Sequence, residues 1–331
     1  MKDISLVKLL PIEPTVPFIK GRVIAGILSV ILIIASIFLF TTKNLNYGID
    51  FTGGTVLEID TGAEPDLELI RATVNGVDLE KSGAGFQLIA PPQGSQEAGK
   101  EHNYVRIAIP LQPETEETGA QAQQIALEKV NTALREVIPT YDKPRSQDVV
   151  GSKVSGELRQ KGVIAILSAL VMIMAYIAFR FEWQFAIGAV AALVHDVLLT
   201  IGVFSLTGIE FNLSIIAAIL TIVGYSLNDT VIVYDRIREN LRKYKKKPMP
   251  DVLNLSINDT LSRTIMTSVT TLLALVALYI LGGDGLRGFS FAMIWGVIVG
   301  TYSSIFVASP MLLLLKLKRG TNTGGAPKEE S

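Results

Sequence analysis

Six long apolar stretches constrain this chain more than any other feature. They cover residues 23–42, 162–179, 185–204, 213–234, 264–281 and 289–315. Each is long enough for a helix that crosses a hydrocarbon core about 30 Å thick, which takes roughly 17–25 residues. Charged residues make up only 18% of the chain, against about 25% in soluble domains, and mean hydropathy is +0.42. We therefore predict an α-helical membrane protein with six transmembrane helices.

Composition also excludes several kinds of chemistry. The chain has no cysteine, which excludes disulfides and thiolate sites, and its two histidines are too few for a histidine-rich metal centre. The net charge of −1 gives no global attraction for nucleic acid. No nucleotide motif or nucleophile constellation is found, so we expect no cofactor, no metal and no enzymatic reaction.

The distribution of charge predicts the orientation. Residues 43–161 carry 12 basic and 18 acidic side chains, whereas the 235–262 loop is rich in arginine and lysine. Because basic loops stay in the cytoplasm, both termini are expected there and the 43–161 segment outside, in the periplasm of a bacterial inner membrane. The first span has no cleavage pattern after it, so we interpret it as a retained anchor.

These boundaries divide the chain into five parts. We predict a cytoplasmic segment at 1–22, a first span at 23–42, a periplasmic domain at 43–161, a five-span bundle at 162–315 and a cytoplasmic tail at 316–331. The basic run 242–247 could suggest nucleic acid. It directly follows a span, however, so we interpret it as a topology signal lying against anionic headgroups of the bilayer.

The outside segment is long enough for one small domain. Period-2 patterns at 54–59 and 104–109 predict strands, and 66–74 and 119–138 predict helices. The order strand–helix–strand–strand–helix–strand indicates a ferredoxin-like α+β domain. The polar stretch 91–100 is interpreted as a hairpin or loop, and His102 as a solvated loop residue.

A glycine-rich segment, GIDFTGG, begins the domain immediately after the first span. It lacks the lysine and spacing of a phosphate loop. Because glycine adopts positive φ without a steric penalty, we interpret Gly48, Asp50, Gly53 and Gly54 as a hinge between membrane and strand.

Asp229 is one of three places where an ionisable group lies within or beside a predicted span. Such groups cost at least about 2.5–3.5 kcal/mol on insertion scales, so they usually carry function. Asp229 lies about 24 Å along the fourth span from its start, in the cytoplasmic half. Tyr225 and Ser226 precede it by four and three residues, share its face and could hydrogen-bond its carboxyl. Asn228, its immediate neighbour, is a further candidate for proton coupling.

Arg263 opens the fifth span, which runs antiparallel to the fourth. Thr267 and Thr270 follow on its face and predict a polar lining. An Asp229–Arg263 pair is geometrically allowed, and an aspartate in such surroundings can change its protonation state. We predict that this pair couples proton movement to a change in helix arrangement.

His195 and Asp196 lie near the middle of the third span. Adjacent helical residues point about 100° apart, so the two are not expected to face one partner. One should point into the bundle and the other toward a second helix or the backbone. Both are candidate proton-coupling residues, although these intramembrane groups could instead act only as polar contacts that hold helices together.

The sixth span carries small residues at a spacing of four, at Gly296, Gly300, Ser304 and Ala308. Such a stripe allows helices to approach closely. We interpret it as a helix–helix or subunit interface.

Four motifs together resemble one known family. GIDFTGG after the first span, VGSKVSGEL before the second, ALVHD in the third and GYSLNDTVIVYDRIREN at the end of the fourth are similar to the SecF branch of the SecD/SecF family. The likeness covers essentially the whole chain.

The resemblance implies half of a twelve-span bundle like that of RND transporters, completed by SecD. It also implies association with SecYEG and YajC, and use of the proton-motive force to move unfolded preproteins outward. In this family the transmembrane aspartate and arginine that belong to the proton path match Asp229 and Arg263. This chain lacks the SecD half, so a complete path needs a second chain.

Two other functions are compatible with parts of the sequence. A scaffold that stabilises SecD and the translocon would not need Asp229 or Arg263. An RND-type solute efflux half-transporter would normally carry two large outer loops, whereas this chain has one.

Overall fold

The computed structural model describes residues 15–62, 65–79, 83–89, 103–113 and 121–317. The 91–100 loop and His102 lie outside the described residues, as do most of the predicted terminal segments. Within the described chain, six helices are long and apolar enough to cross a membrane. The membrane fold predicted from hydropathy is therefore confirmed.

The elements follow in the order α1 (Arg22–Lys43), α2 (Ile49–Thr52), β1 (Gly54–Asp60), α3 (Leu67–Gly76), β2 (Gly85–Ile89), β3 (Tyr104–Pro110), α4 (Ala122–Val137), β4 (Ser146–Val150), α5 (Ser152–Arg180), α6 (Trp183–Thr207), α7 (Leu213–Lys243), α8 (Met249–Leu281), α9 (Asp284–Ser303) and α10 (Ser309–Leu314). A 3-10 turn at Phe18–Gly21 precedes α1, and a π-helical turn at Ser304–Ala308 joins α9 to α10.

The α+β domain is a four-stranded antiparallel sheet in the order β2-β3-β1-β4. Apolar positions of β1 and β3 pack with α3 and α4, and this core includes Leu57, Ile107, Val74 and Leu134, all fully buried or nearly so. The alternation of buried and less buried residues along β1 and β3 is the period-2 pattern seen in the sequence. The strand order and connections are those of a ferredoxin-like fold.

Several helices run past the apolar stretches that predicted them. The 235–262 segment, expected as a loop, is mostly the continuation of α7 and the start of α8, joined by a turn at residues 244–248. Polar pairs hold this hairpin together. Arg236 Nε donates to Asp259 Oδ2 at 2.8 Å, and Asn240 Nδ2 donates to Ser256 Oγ at 3.0 Å. Hydropathy alone does not detect such an extension.

The last span is a broken helix rather than a continuous one. Pro310 has no backbone N–H, and its ring would clash with the carbonyl one turn earlier in a regular helix. The π-helical turn immediately before α10 accommodates it, and Ser309 Oγ donates to the Ser304 carbonyl at 2.9 Å. Ser304, predicted as part of a regular small-residue stripe, lies in this turn.

Candidate functional site: two buried aspartates in the helix bundle

Asp196 on α6 lies at a junction of three helices and is 0% exposed. Its Oδ2 accepts hydrogen bonds from Ser226 Oγ of α7 at 2.6 Å and from Ser303 Oγ of α9 at 2.8 Å. Its Oδ1 lies 2.9 Å from His195 Nδ1. Because a buried carboxylate is tolerated when it is hydrogen-bonded, Asp196 can fasten the three helices together.

His195 meets its neighbour directly, contrary to the expectation that adjacent residues on a helix would diverge. The imidazole Nδ1 lies within hydrogen-bond distance of the Asp196 Oδ1, and the ring stacks on Tyr302 of α9, with ring centroids 5.9 Å apart. His195 thus contacts Tyr302 and Asp196 contacts Ser303, which are consecutive residues of α9. The 100° separation of Cα–Cβ directions does not prevent this, since a histidine side chain is long enough to reach across.

Asp229 is as deeply buried as Asp196 but has different surroundings. It is 1% exposed, and neither carboxyl oxygen has a hydrogen-bond partner among the described residues. The partners expected from helical spacing are engaged elsewhere. Ser226 donates to Asp196, and Tyr225 donates to Ser268 Oγ of α8 at 3.3 Å.

Arg263 lies on α8 near Asp229 without touching it. Its side chain is exposed, and within the described part of the chain it forms no ion pair. Its charge is nevertheless close enough to act on the Asp229 carboxyl. Asn228 is exposed and points away from this buried region.

Two contacts between α7 and α8 show how these helices are aligned: Tyr225 with Ser268 on one side of Asp229, and Arg236 with Asp259 on the other. This alignment places further unpaired hydroxyls at the depth of Asp229. Thr230 on α7 and Thr264 on α8 are buried, and their Oγ1 atoms have no partner among the described residues.

The hydroxyl stripe expected on α8 is satisfied within its own helix. Thr267 Oγ1 donates to the Arg263 carbonyl at 2.9 Å, and Thr270 Oγ1 donates to the Met266 carbonyl at 2.9 Å. The hydroxyl oxygens of these two threonines, neither of which is buried, can still accept hydrogen bonds, so their role in a polar lining stays a prediction.

The small-residue stripe of α9 packs against α7 within the same chain. A Cβ on Gly296 would overlap Ile222, and one on Gly300 would lie 3.0 Å from Ser226 Cβ. This close approach brings Ser303 within reach of Asp196. The stripe is an intrachain helix–helix contact.

The glycine-rich segment after α1 docks on the loop between α6 and α7. Tyr47 and Phe211 form a parallel β-bridge, in which the Gly48 N–H donates to the Phe211 carbonyl at 2.9 Å. Asp50 Oδ2 accepts from the Leu213 N–H at 2.8 Å and so caps the first turn of α7. We call these contacts between residues 46–51 and 208–213 the loop latch.

Three further features of the loop latch follow from its packing. Phe51 and Phe211 pack with ring centroids 5.9 Å apart. A Cβ on Gly48 would overlap the Glu210 carboxylate, which would have to move to make room for a larger residue. Burial raises the pKa of Glu210, the nearby Arg106 of β3 lowers it and Asp50 raises it.

The paired glycines form the bend predicted for them. Gly53 and Gly54 have φ values of 70° and 131°, a region that disfavours other residues. A Cβ on Gly54 would also overlap the Ile109 carbonyl oxygen of β3. The chain thus turns from the loop latch directly into the central strand β1.

The sequence did not identify two of the residues that complete the site. Tyr302 and Ser303 come from α9, more than a hundred residues after His195, and no local pattern links them. Their only signal was the run of small residues leading to them.

Among the described residues, no group of three or more histidine or acidic side chains could hold a metal.

Comparison with known proteins identifies the family. The family model for the C-terminal region of the SecD/SecF protein export membrane proteins matches residues 129–318, and the SecD/SecF GG motif matches residues 38–63. The chain is 46% identical to the protein translocase subunit SecF of Rhodobacter capsulatus, covering 94% of this chain and 92% of the relative. It is 44% identical to SecF of Cereibacter sphaeroides, covering 98% and 95%.

A solved structure also matches. The crystal structure of SecDF from Thermus thermophilus, a translocon-associated membrane protein, aligns with a TM-score of 0.77 and 34% identity, covering 94% of this chain. This chain spans only 40% of the length of that protein. The family models, the full-length relatives and the shared fold agree, and the chain belongs to the SecD/SecF family of export membrane proteins, as a protein translocase subunit of the SecF type.

Proposed function

We propose that this chain, together with a SecD-type partner, uses the proton-motive force to promote preprotein translocation and release on the periplasmic side of the bacterial inner membrane. The observation that carries the proposal is Asp229, a membrane-embedded carboxyl with no hydrogen-bond partner among the described residues. An ionised carboxylate without partners is costly at such a depth, whereas binding a proton removes the charge.

The mechanism depends on what each protonation state attracts. When Asp229 is ionised, it draws Arg263 of α8 toward it and favours closer contact between α7 and α8. When it is protonated, that attraction is lost and the helices can separate. Thr230 and Thr264, whose hydroxyls have no described partner, would accommodate the neutral acid or the approaching guanidinium.

Asp196 has the complementary role. Its bonds to Ser226 and Ser303 tie α7 and α9 to α6, so a change at Asp229 moves these three helices together relative to α8. His195 orients the Asp196 carboxyl. In this proposal the pair supports proton coupling by positioning the helices.

The loop latch would transmit the movement to the α+β domain. Asp50 caps the helix that carries Asp229, and the same segment leads through Gly53 and Gly54 into β1. A shift or tilt of α7 therefore pulls on the base of the domain. A preprotein segment bound by the domain would move with it.

The matched structure and the family membership support the partners that we propose. This chain corresponds to 40% of SecDF, so we propose that a SecD chain supplies the other half of the bundle and the rest of the proton path. SecYEG, YajC and the unfolded preprotein complete the assembly. The basic hairpin at residues 235–262 would face the cytoplasm, as would both termini.

The test is Asp229→Asn in a strain in which this chain is the only copy. We expect preprotein maturation to slow about tenfold or more, since asparagine cannot carry a proton. The matched control is Asp235→Asn, an exposed aspartate on the same helix, which should leave export unchanged. Export at the wild-type rate in Asp229→Asn would instead support a scaffold role.

A further inference from the structure

An open groove lies beside α1 near the N-terminal end of that helix. At its other end α1 touches α6 closely, because a Cβ on Gly202 would overlap Ser36. Toward Arg22 a groove of about 630 Å³ lies between α1, α6, the π-helical turn and α10. Its walls are mostly apolar and include Ile27, Val30, Met311 and Leu314.

The length of the groove matches one leaflet of a bilayer. Its α1 wall extends from Arg22 to Ile33. Eleven helical steps correspond to about 16 Å, which is close to half of a hydrocarbon core about 30 Å thick. The groove therefore runs from the headgroup region to the middle of the membrane.

The headgroup end of the groove is positively charged. Arg22 lines it, and the Arg22 guanidinium uses one N–H to bond the Ile19 carbonyl at 3.2 Å. No carboxylate among the described residues pairs with Arg22. Lys20 is exposed two residues earlier. The remaining guanidinium N–H groups form a fork suited to a phosphate.

We infer that this groove binds an anionic phospholipid, with one acyl chain along α1 and its phosphate at Arg22. Apolar walls one leaflet deep fit the chain, and the unpaired arginine fits the headgroup. His195 forms part of the groove floor, and its Nε2 has no partner among the described residues. A bound acyl chain would cover this edge of the His195–Asp196 pair and keep water away from it.

Native mass spectrometry of the full-length chain, released from mild detergent with added lipid, tests the inference. We expect one phosphatidylglycerol to bind about tenfold more tightly than phosphatidylcholine with the same chains, and Arg22→Gln to abolish that preference. Gly26→Trp should block binding of both lipids, because a Cβ on Gly26 meets nothing within 4 Å and the side chain can fill the groove.

Two matched variants keep this test specific. Leu167→Trp places the same large side chain at an exposed position of α5, and Arg180→Gln removes an exposed arginine outside the groove. Both should bind phosphatidylglycerol like the wild type. Binding that is unchanged in Gly26→Trp, or lowered equally in Leu167→Trp, would overturn the inference.

The rival occupant is a helix of another protein chain. A photo-crosslinking amino acid at Met311, in cells that contain the whole translocase, distinguishes the two. A product with the added mass of a phospholipid supports the lipid site. A crosslinked protein band without a lipid product contradicts it.

Discussion

Asp196 and Asp229 lie on adjacent helices of the same bundle and are both almost completely buried, yet their surroundings are opposite. Asp196 is held by two serine hydroxyls and a histidine from three helices. Asp229 has no hydrogen-bond partner among the described residues. A carboxyl whose bonds are satisfied is suited to hold helices in place, and one whose bonds are unsatisfied is suited to change state.

The position of Ser226 explains part of this difference in hydrogen bonding between the two aspartates. It lies one helical turn before Asp229 and could have bonded either aspartate, but its hydroxyl is directed at Asp196. Gly300 of α9 packs directly against Ser226, and a Cβ at position 300 would lie only 3.0 Å from the Ser226 Cβ. The packing of α9 thus assigns the serine to one aspartate and leaves the other without it.

The largest expected effect is on the stability of Asp196→Ala. Removing the carboxyl takes the hydrogen-bond partner from Ser226 and His195 and leaves Ser303 with only the Gly300 carbonyl, so we expect a loss of about 3 kcal/mol of unfolding free energy. Asp229→Asn, which removes a charge that has no partner, should cost less than about 1 kcal/mol. Unfolding in mixed micelles measures both, and equal losses would remove the distinction between the two aspartates.

Moving α9 away from α7 should weaken the Asp196 contacts indirectly. Gly296→Ala places a methyl group into Ile222, and we expect a loss of about 2 kcal/mol from overpacking. Gly224→Ala on α7 is the control, because a Cβ there meets nothing within 4 Å. A crosslink between cysteines at positions 226 and 303 should form more slowly in Gly296→Ala only.

A pair of variants can distinguish the effect of the loop latch on stability from its effect on coupling between α7 and the α+β domain. Asp50→Ala removes the cap of α7 and should cost about 1 kcal/mol. Asp66→Ala removes a similar cap from α3, where Asp66 Oδ1 accepts from the Leu69 N–H at 3.0 Å, and should cost about as much. Only Asp50→Ala should slow preprotein maturation, because only that cap joins the α+β domain to α7. Equal slowing in both variants would contradict the coupling role.

The smallest effect concerns the pH dependence of the loop latch. Burial raises the pKa of Glu210, so the folded state binds a proton more readily than the unfolded state. The resulting stabilisation is present below the unfolded pKa of about 4.3 and is lost as pH rises through the folded pKa. Glu210→Gln should therefore flatten the pH profile of unfolding, whereas Glu182→Gln, an exposed control, should not. A profile unchanged by Glu210→Gln would contradict this assignment.

The fold could be predicted from the sequence because the two patterns that indicate it, hydropathy and period-2 alternation, are local. Hydropathy identifies the six helices, and period-2 segments identify β1 and β3. The ends of α7 and α8 were not predictable in this way, because Arg236 and Asp259 pair across a hairpin only after the chain has folded.

The site was only partly predictable for the same reason. Asp196, His195, Asp229 and Arg263 are conspicuous because charges are rare in apolar stretches. Their partners are not, since Ser303 is one serine among many and its hydroxyl reaches Asp196 only through the packing of α9. Helical spacing predicts a hydrogen bond from Ser226 to Asp229. In the folded chain, with α9 packed against α7, Ser226 donates to Asp196 instead.

The contrast between the two aspartates is tested most directly by infrared difference spectroscopy of the carboxyl groups in proteoliposomes that contain this chain and the proposed SecD-type partner. Spectra recorded on both sides of a pH step should contain a protonated carboxylic acid band that disappears in Asp229→Asn. Asp235→Asn should retain that band. If the band persists in Asp229→Asn, or if no carboxyl of the bundle responds to the step, Asp229 does not exchange a proton and cannot drive the cycle.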